Sequence, residues 1–348
     1  MYSWSFLIIK ARLQYYLLPS LVVFKRNIYC RNDILIFIWV RLIGGKFMHA
    51  YLIIADRNFD QLKTLLRTLD DERNDIYLLI DAKSHFQDQS LLTSVIKKSR
   101  IILVDPIKIF WGSFSQIRAE LSLFKAAAPK KYEYYHLLSG LDLPLQSQDK
   151  IHAFFEQNAG KEFLTFSDKS IAEKNKINDR LDVHLFPDIS SRTFKSRIGK
   201  KLYRLYRKFE HIFEHLFKIG LNKLDCPLGY GSQWVSIDHS LVEFILSKEG
   251  WINMNFKSAI LCDEVFIHTL VINSKFKDRV YAIKGVLDHP EDVQGNLRYI
   301  NWWDGNPHTW TIKDWPTLES VSQGNYFFSR KFDELVDKEI IEKVIQSL

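Results

Sequence analysis

His49-Ala50-Tyr51-Leu52-Ile53-Ile54-Ala55 is a nearly continuous apolar run of strand length, and the pattern that it begins decides the fold. Residues 58–69 put Leu62, Leu65, Leu66 and Leu69 on one face at helical spacing. A second apolar run at 76–80 ends at Asp81. The alternation continues with a helical pattern at 89–98, a strand at 101–104 and a helix at 115–127. Next come a strand at 134–138, a helix at 147–157 and a strand at 162–166. Apolar strands separated by helices predict an α/β fold, a mainly parallel sheet with helices on both faces. Ligands of such sheets bind beyond the carboxyl ends of the strands. Asp81 and the loop Ser139-Gly140-Leu141-Asp142-Leu143-Pro144 both fall there.

Composition bounds the function. Apolar residues make up 47% of the 348, enough for a large core, which excludes a disordered chain. The net charge of +7 suggests nucleic acid until it is located. Residues 1–47 carry seven Lys and Arg against Asp33 alone, so the rest of the chain is nearly neutral. A neutral body lacks the clustered basic surface that counterion release requires, and no nucleic-acid partner is expected. Cys30, Cys226 and Cys262 are far apart and form no CxxC, which argues against a disulfide framework or zinc site and fits a reducing compartment.

The apolar runs of residues 1–47 are interrupted by charges before any reaches the ~18–20 residues of a membrane span. The segment reads as a basic apolar stretch lying on a membrane surface, or as an over-extension ahead of a natural start at Met48. The working domain is then 48–348. It contains a basic helical insertion at about 189–221, where Ile198, Leu202, Leu205, Phe209, Ile212 and Leu216 recur at three and four. That helix is either packed on the domain with a solvated face or in contact with a membrane surface or lipid-linked anionic acceptor.

Several chemistries are absent. There is no GxxxxGK[ST], no GxGxxG after the first strand and no G-x-S-x-G. There is also no Asp-x-Asp. Many nucleotide-sugar transferases hold a divalent metal on such a pair to neutralise a diphosphate. Without it, Arg or Lys is the physical substitute. Asp263-Glu264 opens the apolar stretch 261–270, where acids would ordinarily serve the helix dipole. Trp302, Trp303, Trp310 and Trp315 read as core, or as platforms for the apolar faces of sugars. Arg330-Lys331 reads by default as a solvated pair, whereas Arg298 sits in a strand-like apolar run.

Taken in order, certain segments resemble the core-2/I-branching β-1,6-N-acetylglucosaminyltransferases and the related peptide O-xylosyltransferases. They are residues 49–55 with Asp81, Trp111-Gly112-Ser113, residues 135–144, Gly231 to Trp234, Asp263-Glu264 with Thr269-Leu270, Arg298 through Trp302, and residues 330–333. The resemblance covers roughly residues 49–345 and implies a GT-A-type, Rossmann-like nucleotide-sugar domain that needs no metal and inverts the anomeric centre. On that resemblance Glu264 is the catalytic base, Arg298 and Lys331 contact the donor diphosphate, and Asp81 lies near the nucleoside. Trp234, Asp263 and Trp302 would contact acceptor or sugar.

The expected reaction moves a sugar, N-acetylglucosamine by family habit, from a UDP-sugar to a glycan or lipid-linked glycan, as in bacterial surface polysaccharide synthesis. Two alternatives are UDP-xylose transfer to a protein serine and a non-catalytic glycan-binding protein of the same fold. Animal members are disulfide-rich Golgi proteins with a membrane anchor. The scattered cysteines here suggest instead a bacterial relative in the cytoplasm or on the inner membrane face.

Overall fold

A computed structural model describes residues 47–348, apart from 87, 183, 185–187, 190–192, 195 and 218–223 and the side chains of 211, 214, 215 and 217. The reading of residues 1–47 as a membrane-surface segment or over-extension therefore lies outside the described residues, Phe47 excepted.

The strands are β1 His49–Ala55, β2 Asn74–Ile80, β3 Arg100–Val104, β4 Tyr134–Ser139, β5 Leu143–Pro144, β6 Ser236–Asp238, β7 Arg298–Ile300 and β8 Phe328–Arg330. The central sheet has the order β3-β2-β1-β4-β6. Its first four strands are parallel, and β6 runs antiparallel to β4. Strand alternation divides the side chains between two cores. Ala50, Leu52, Tyr77, Leu79, Tyr135 and Leu137 face one core, which the Phe114–Ala127 helix covers with Ile117, Leu121 and Phe124. Tyr51, Ile53, Ile76, Leu78, Tyr134 and Leu138 face the other, covered by Leu62, Leu65 and Leu66 of the Phe59–Thr68 helix. The expected mainly parallel α/β sheet with helices on both faces is thus the observed one. A second, small sheet has the order β5-β8-β7.

Three local expectations change. The helix expected over 89–98 is a single turn, Ser90–Thr93, because Asp70 draws the main-chain N–H groups of Lys97, Lys98 and Ser99 onto its carboxylate instead. Residues 162–166 make only isolated bridges, such as Phe163 to Ser236 and Phe166 to Gly231, rather than a strand. The apolar helix after the acid pair begins at Phe266 and ends at Ile272, so Asp263-Glu264 form the turn before it and not its first turn.

Three histidines meet within the second core, His152 stacked on His49 and His136 edge-on to it. His49 lies 4.0 Å from His152 ring to ring, and His136 Nε2 is 3.1 Å from His49 Nδ1. Burial holds His49 and His136 well below the ordinary 6.5 and brings His152 down to about 4. The unfolded chain takes up these protons as pH falls through about 6.5, and the folded chain resists. Their contribution is complete above that pH and declines below it, by about 1.4 kcal/mol per pH unit for each imidazole kept neutral. Buried Glu120, Glu162 and Asp263, whose carboxyls are pushed up, add stability as pH falls over the same window and oppose this trend, so the imidazole contribution is read as a difference. The melting-temperature advantage of the protein over a His152→Gln variant should shrink between about pH 6.5 and 4.5, and an advantage that stays constant would show that this imidazole is not neutral in the fold.

Candidate active site

The carboxyl ends of the parallel strands share one edge. Asp56-Arg57 follow β1, Asp81 follows β2, and Ser139 to Asp142 lie at the end of β4. Because β6 is antiparallel, the residues that precede it, Gly231 to Trp234, reach the same edge, with Leu137 N donating to Val235 O at 2.9 Å. Glycine is required in this approach. A Cβ on Gly231 would overlap Thr165 O and the His268 ring, and one on Gly229 would overlap the His268 main chain. The Gly231 main chain can therefore close on the acid turn, its N–H donating to Glu264 O at 3.0 Å.

The two acids of that turn are placed differently. Asp263 is buried, 6% exposed, and its Oδ2 accepts from Gln116 Nε2 at 2.7 Å. Gln116 in turn accepts from the Gly112 N–H, and Leu261 N donates to Gly112 O at 2.7 Å, so the Trp111-Gly112-Ser113 motif brackets the acids. Burial and the neighbouring Glu264 charge push the Asp263 carboxyl up to about 7. Fully buried Glu120 lies beside it, pushed well above the carboxylate range by burial and by Asp263. Glu264 faces outward, its side chain 31% exposed, with Arg180 Nη1 at 2.9 Å from Oε2. Arg180 also donates to Leu261 O at 2.9 Å and lies over the Tyr230 ring at 5.0 Å. Arg180 fixes the acid turn and the carboxylate with one guanidinium.

The basic residues are rearranged relative to expectation. Arg298 is 1% exposed and turned inward. It donates to Asn296 O at 2.9 Å, Leu137 O at 3.1 Å and Val235 O at 2.8 Å. In this structure Arg298 ties β4 to the approach of β6, and its charge lies close to Asp142 and Arg330. Arg330, read from sequence as half of a solvated pair, is instead largely buried. It lies over the Trp234 ring at 4.2 Å, with Nε 3.6 Å from Asp142 Oδ1. Asp142 is held by Ser139 N at 3.0 Å and Ser139 Oγ at 2.8 Å. Lys331 is partly exposed, and burial and Arg57 push its ammonium down.

The remaining predicted residues are largely built into the scaffold. Asp81 is buried and accepts from Lys83 N at 2.9 Å and Ile109 N at 3.2 Å, shaping the loop at the end of β2. Trp234 offers its ring to Arg330. Trp302 is half-buried against the first core, and Trp310 is fully buried. Among the described residues, no group of three or more His, Cys, Asp or Glu could hold a metal ion.

In an open α/β sheet ligands bind beyond the carboxyl ends of the strands, and that edge here carries a paired acid turn and cations. Residues 49–324 match the family described as Core-2/I-Branching enzyme, and the chain belongs to that family. Xylosyltransferase 2 of Rattus norvegicus is 25% identical over 320 residues, covering 84% of this chain and 32% of its own length. Xylosyltransferase oxt of Drosophila pseudoobscura pseudoobscura is 23% identical over 305 residues, covering 83% and 32%. The chain thus spans about a third of the length of the curated relatives it matches. The crystal structure of mouse xyloside xylosyltransferase 1, apo form, aligns at 11% identity with a TM-score of 0.33, covering 81% of this chain and 96% of that one.

Proposed function

We propose that this protein is an inverting glycosyltransferase of GT-A type that uses a UDP-sugar donor, with Glu264 as base. The observation that carries the reading is the acid turn: one carboxyl buried and one partly exposed, the latter fixed by Arg180 beside the carboxyl edge of a parallel sheet. Glu264 takes the proton of an acceptor hydroxyl as that oxygen bonds to the anomeric carbon. The bond from that carbon to the diphosphate oxygen breaks, and its electron pair leaves on UDP. Lys331 faces the growing negative charge, with Arg330 and Arg298 adding positive potential from behind. The cations take the place of a metal in this reading, and the absence of Asp-x-Asp supports it. Transfer should survive EDTA. Loss of activity on chelation with recovery on adding Mn²⁺ would overturn the metal-free part.

Xylose is better supported as the donor sugar than N-acetylglucosamine, because the relatives at 23–25% identity bear the name xylosyltransferase. A protein serine is then the favoured acceptor over a glycan or lipid-linked glycan. Thermal protection by a panel of UDP-sugars should rank UDP-xylose first, with a tenfold affinity difference equal to about 1.4 kcal/mol. Protection by UDP-N-acetylglucosamine alone would restore the other donor. No binding of UDP or any UDP-sugar by calorimetry would favour a non-catalytic glycan-binding protein of this fold.

A further inference from the structure

The Arg197–Phe217 helix is mounted with its polar side against the body of the protein. At about 100° per residue, Tyr203, Tyr206, Arg207 and Glu210 share one side. Glu210 is buried, pairs with Arg207, accepts from Tyr206 Oη at 2.7 Å, and has Oε2 3.9 Å from His184 Nδ1. Tyr203 Oη donates to Ile189 O at 3.0 Å. The apolar stripe faces the other way. Ile198, Leu202, Leu205, Phe209, Ile212 and Leu216 fall within an arc of about 80°, and they are 51–74% exposed. A helix that only covers a core does the reverse and buries its apolar stripe.

The flank of the stripe supplies the chemistry of the occupant. Arg197, Lys201, Arg204 and Lys208 are exposed along its edge on the side away from the packed face. The helix holds six Lys and Arg against two Glu, and Glu210 is already paired. We propose that this face docks on an anionic lipid bilayer surface. The apolar side chains enter the boundary between headgroups and acyl chains, and the basic row meets the lipid phosphates. Two copies packed stripe to stripe and antiparallel would instead bring two basic rows to the same side, which Coulomb repulsion opposes. Among the described residues no helix is long and apolar enough to cross a membrane, so the contact is peripheral for this part of the chain. The helix is also joined to the candidate site. Its Glu210 neighbour His184 donates its main-chain N–H to Ser258 O at 2.8 Å, and Ile260 N donates to Arg180 O at 3.0 Å.

Flotation of the full-length protein with vesicles tests this. Vesicles of phosphatidylcholine mixed with phosphatidylglycerol should carry the protein, and phosphatidylcholine alone should bind at least about tenfold less. A Leu202→Ser/Phe209→Ser variant and a Lys201→Glu/Lys208→Glu variant should each lose about tenfold or more on the anionic vesicles. UDP binding and melting temperature serve as controls for folding. Absence of binding, or binding that both variants retain, would overturn the proposal. So would a concentration-dependent dimer, seen by light scattering, that the serine variant abolishes while vesicles fail to bind.

Discussion

Glu264→Gln is expected to lower turnover by about 10²–10⁴-fold while donor affinity stays nearly constant. Glutamine keeps the length and shape of glutamate, and its carbonyl oxygen can still accept from Arg180 Nη1, which lies 2.9 Å from Oε2. What it cannot do is take up the acceptor's proton. The loss should therefore fall on kcat, with KM for the donor little changed, because the missing interaction forms only as the hydroxyl oxygen attacks. Asp263 provides the contrast. It is buried against Gln116, so Asp263→Asn acts on the position of the turn rather than on proton transfer. Measured side by side, the Glu264 variant should be the slower enzyme. A Glu264→Gln protein with full transfer would remove Glu264 as the base.

The frame of the fold is legible in the sequence because each parallel strand is apolar on both faces and each covering helix repeats at three and four. What the pattern does not carry is the fate of individual polar groups. Residues 89–98 have helical spacing, yet Asp70 captures three main-chain N–H groups there, a contact across about 30 residues of chain that no local period reports. Arg298 stands out in sequence for its apolar neighbours. Those neighbours mean burial, and burial means that its donors go to main-chain carbonyls. Arg330 reads as solvated beside Lys331 because adjacent charges usually point to water, whereas strand alternation turns one of such a pair inward. None of the segments that carry the family resemblance contains Arg180, and its pairing with Glu264 spans 84 residues. The amphipathic helix is legible as a helix but not as an outward-facing one, since periodicity gives two faces without saying which is buried.

Lys331 and Arg298 should separate cleanly on substitution. Lys331→Ala removes a partly exposed cation, and the expected loss is about 10²–10³-fold in kcat/KM with little change in melting temperature. Arg298→Met removes a guanidinium that satisfies three main-chain carbonyls at the junction of β4 and β6. Val235 O keeps the Leu137 N–H, and each buried carbonyl left without a donor costs about 1–3 kcal/mol. Methionine preserves much of the packing volume but supplies no donor, so the variant should melt several degrees lower, at about 2–4 °C per kcal/mol. Any weakening of UDP binding should be smaller than in Lys331→Ala, because the Arg298 charge acts from behind Asp142 and Arg330. The opposite pattern has equal force. An Arg298→Met protein with an unchanged melting temperature and no UDP binding would mean that the guanidinium swings out to the diphosphate when the donor arrives.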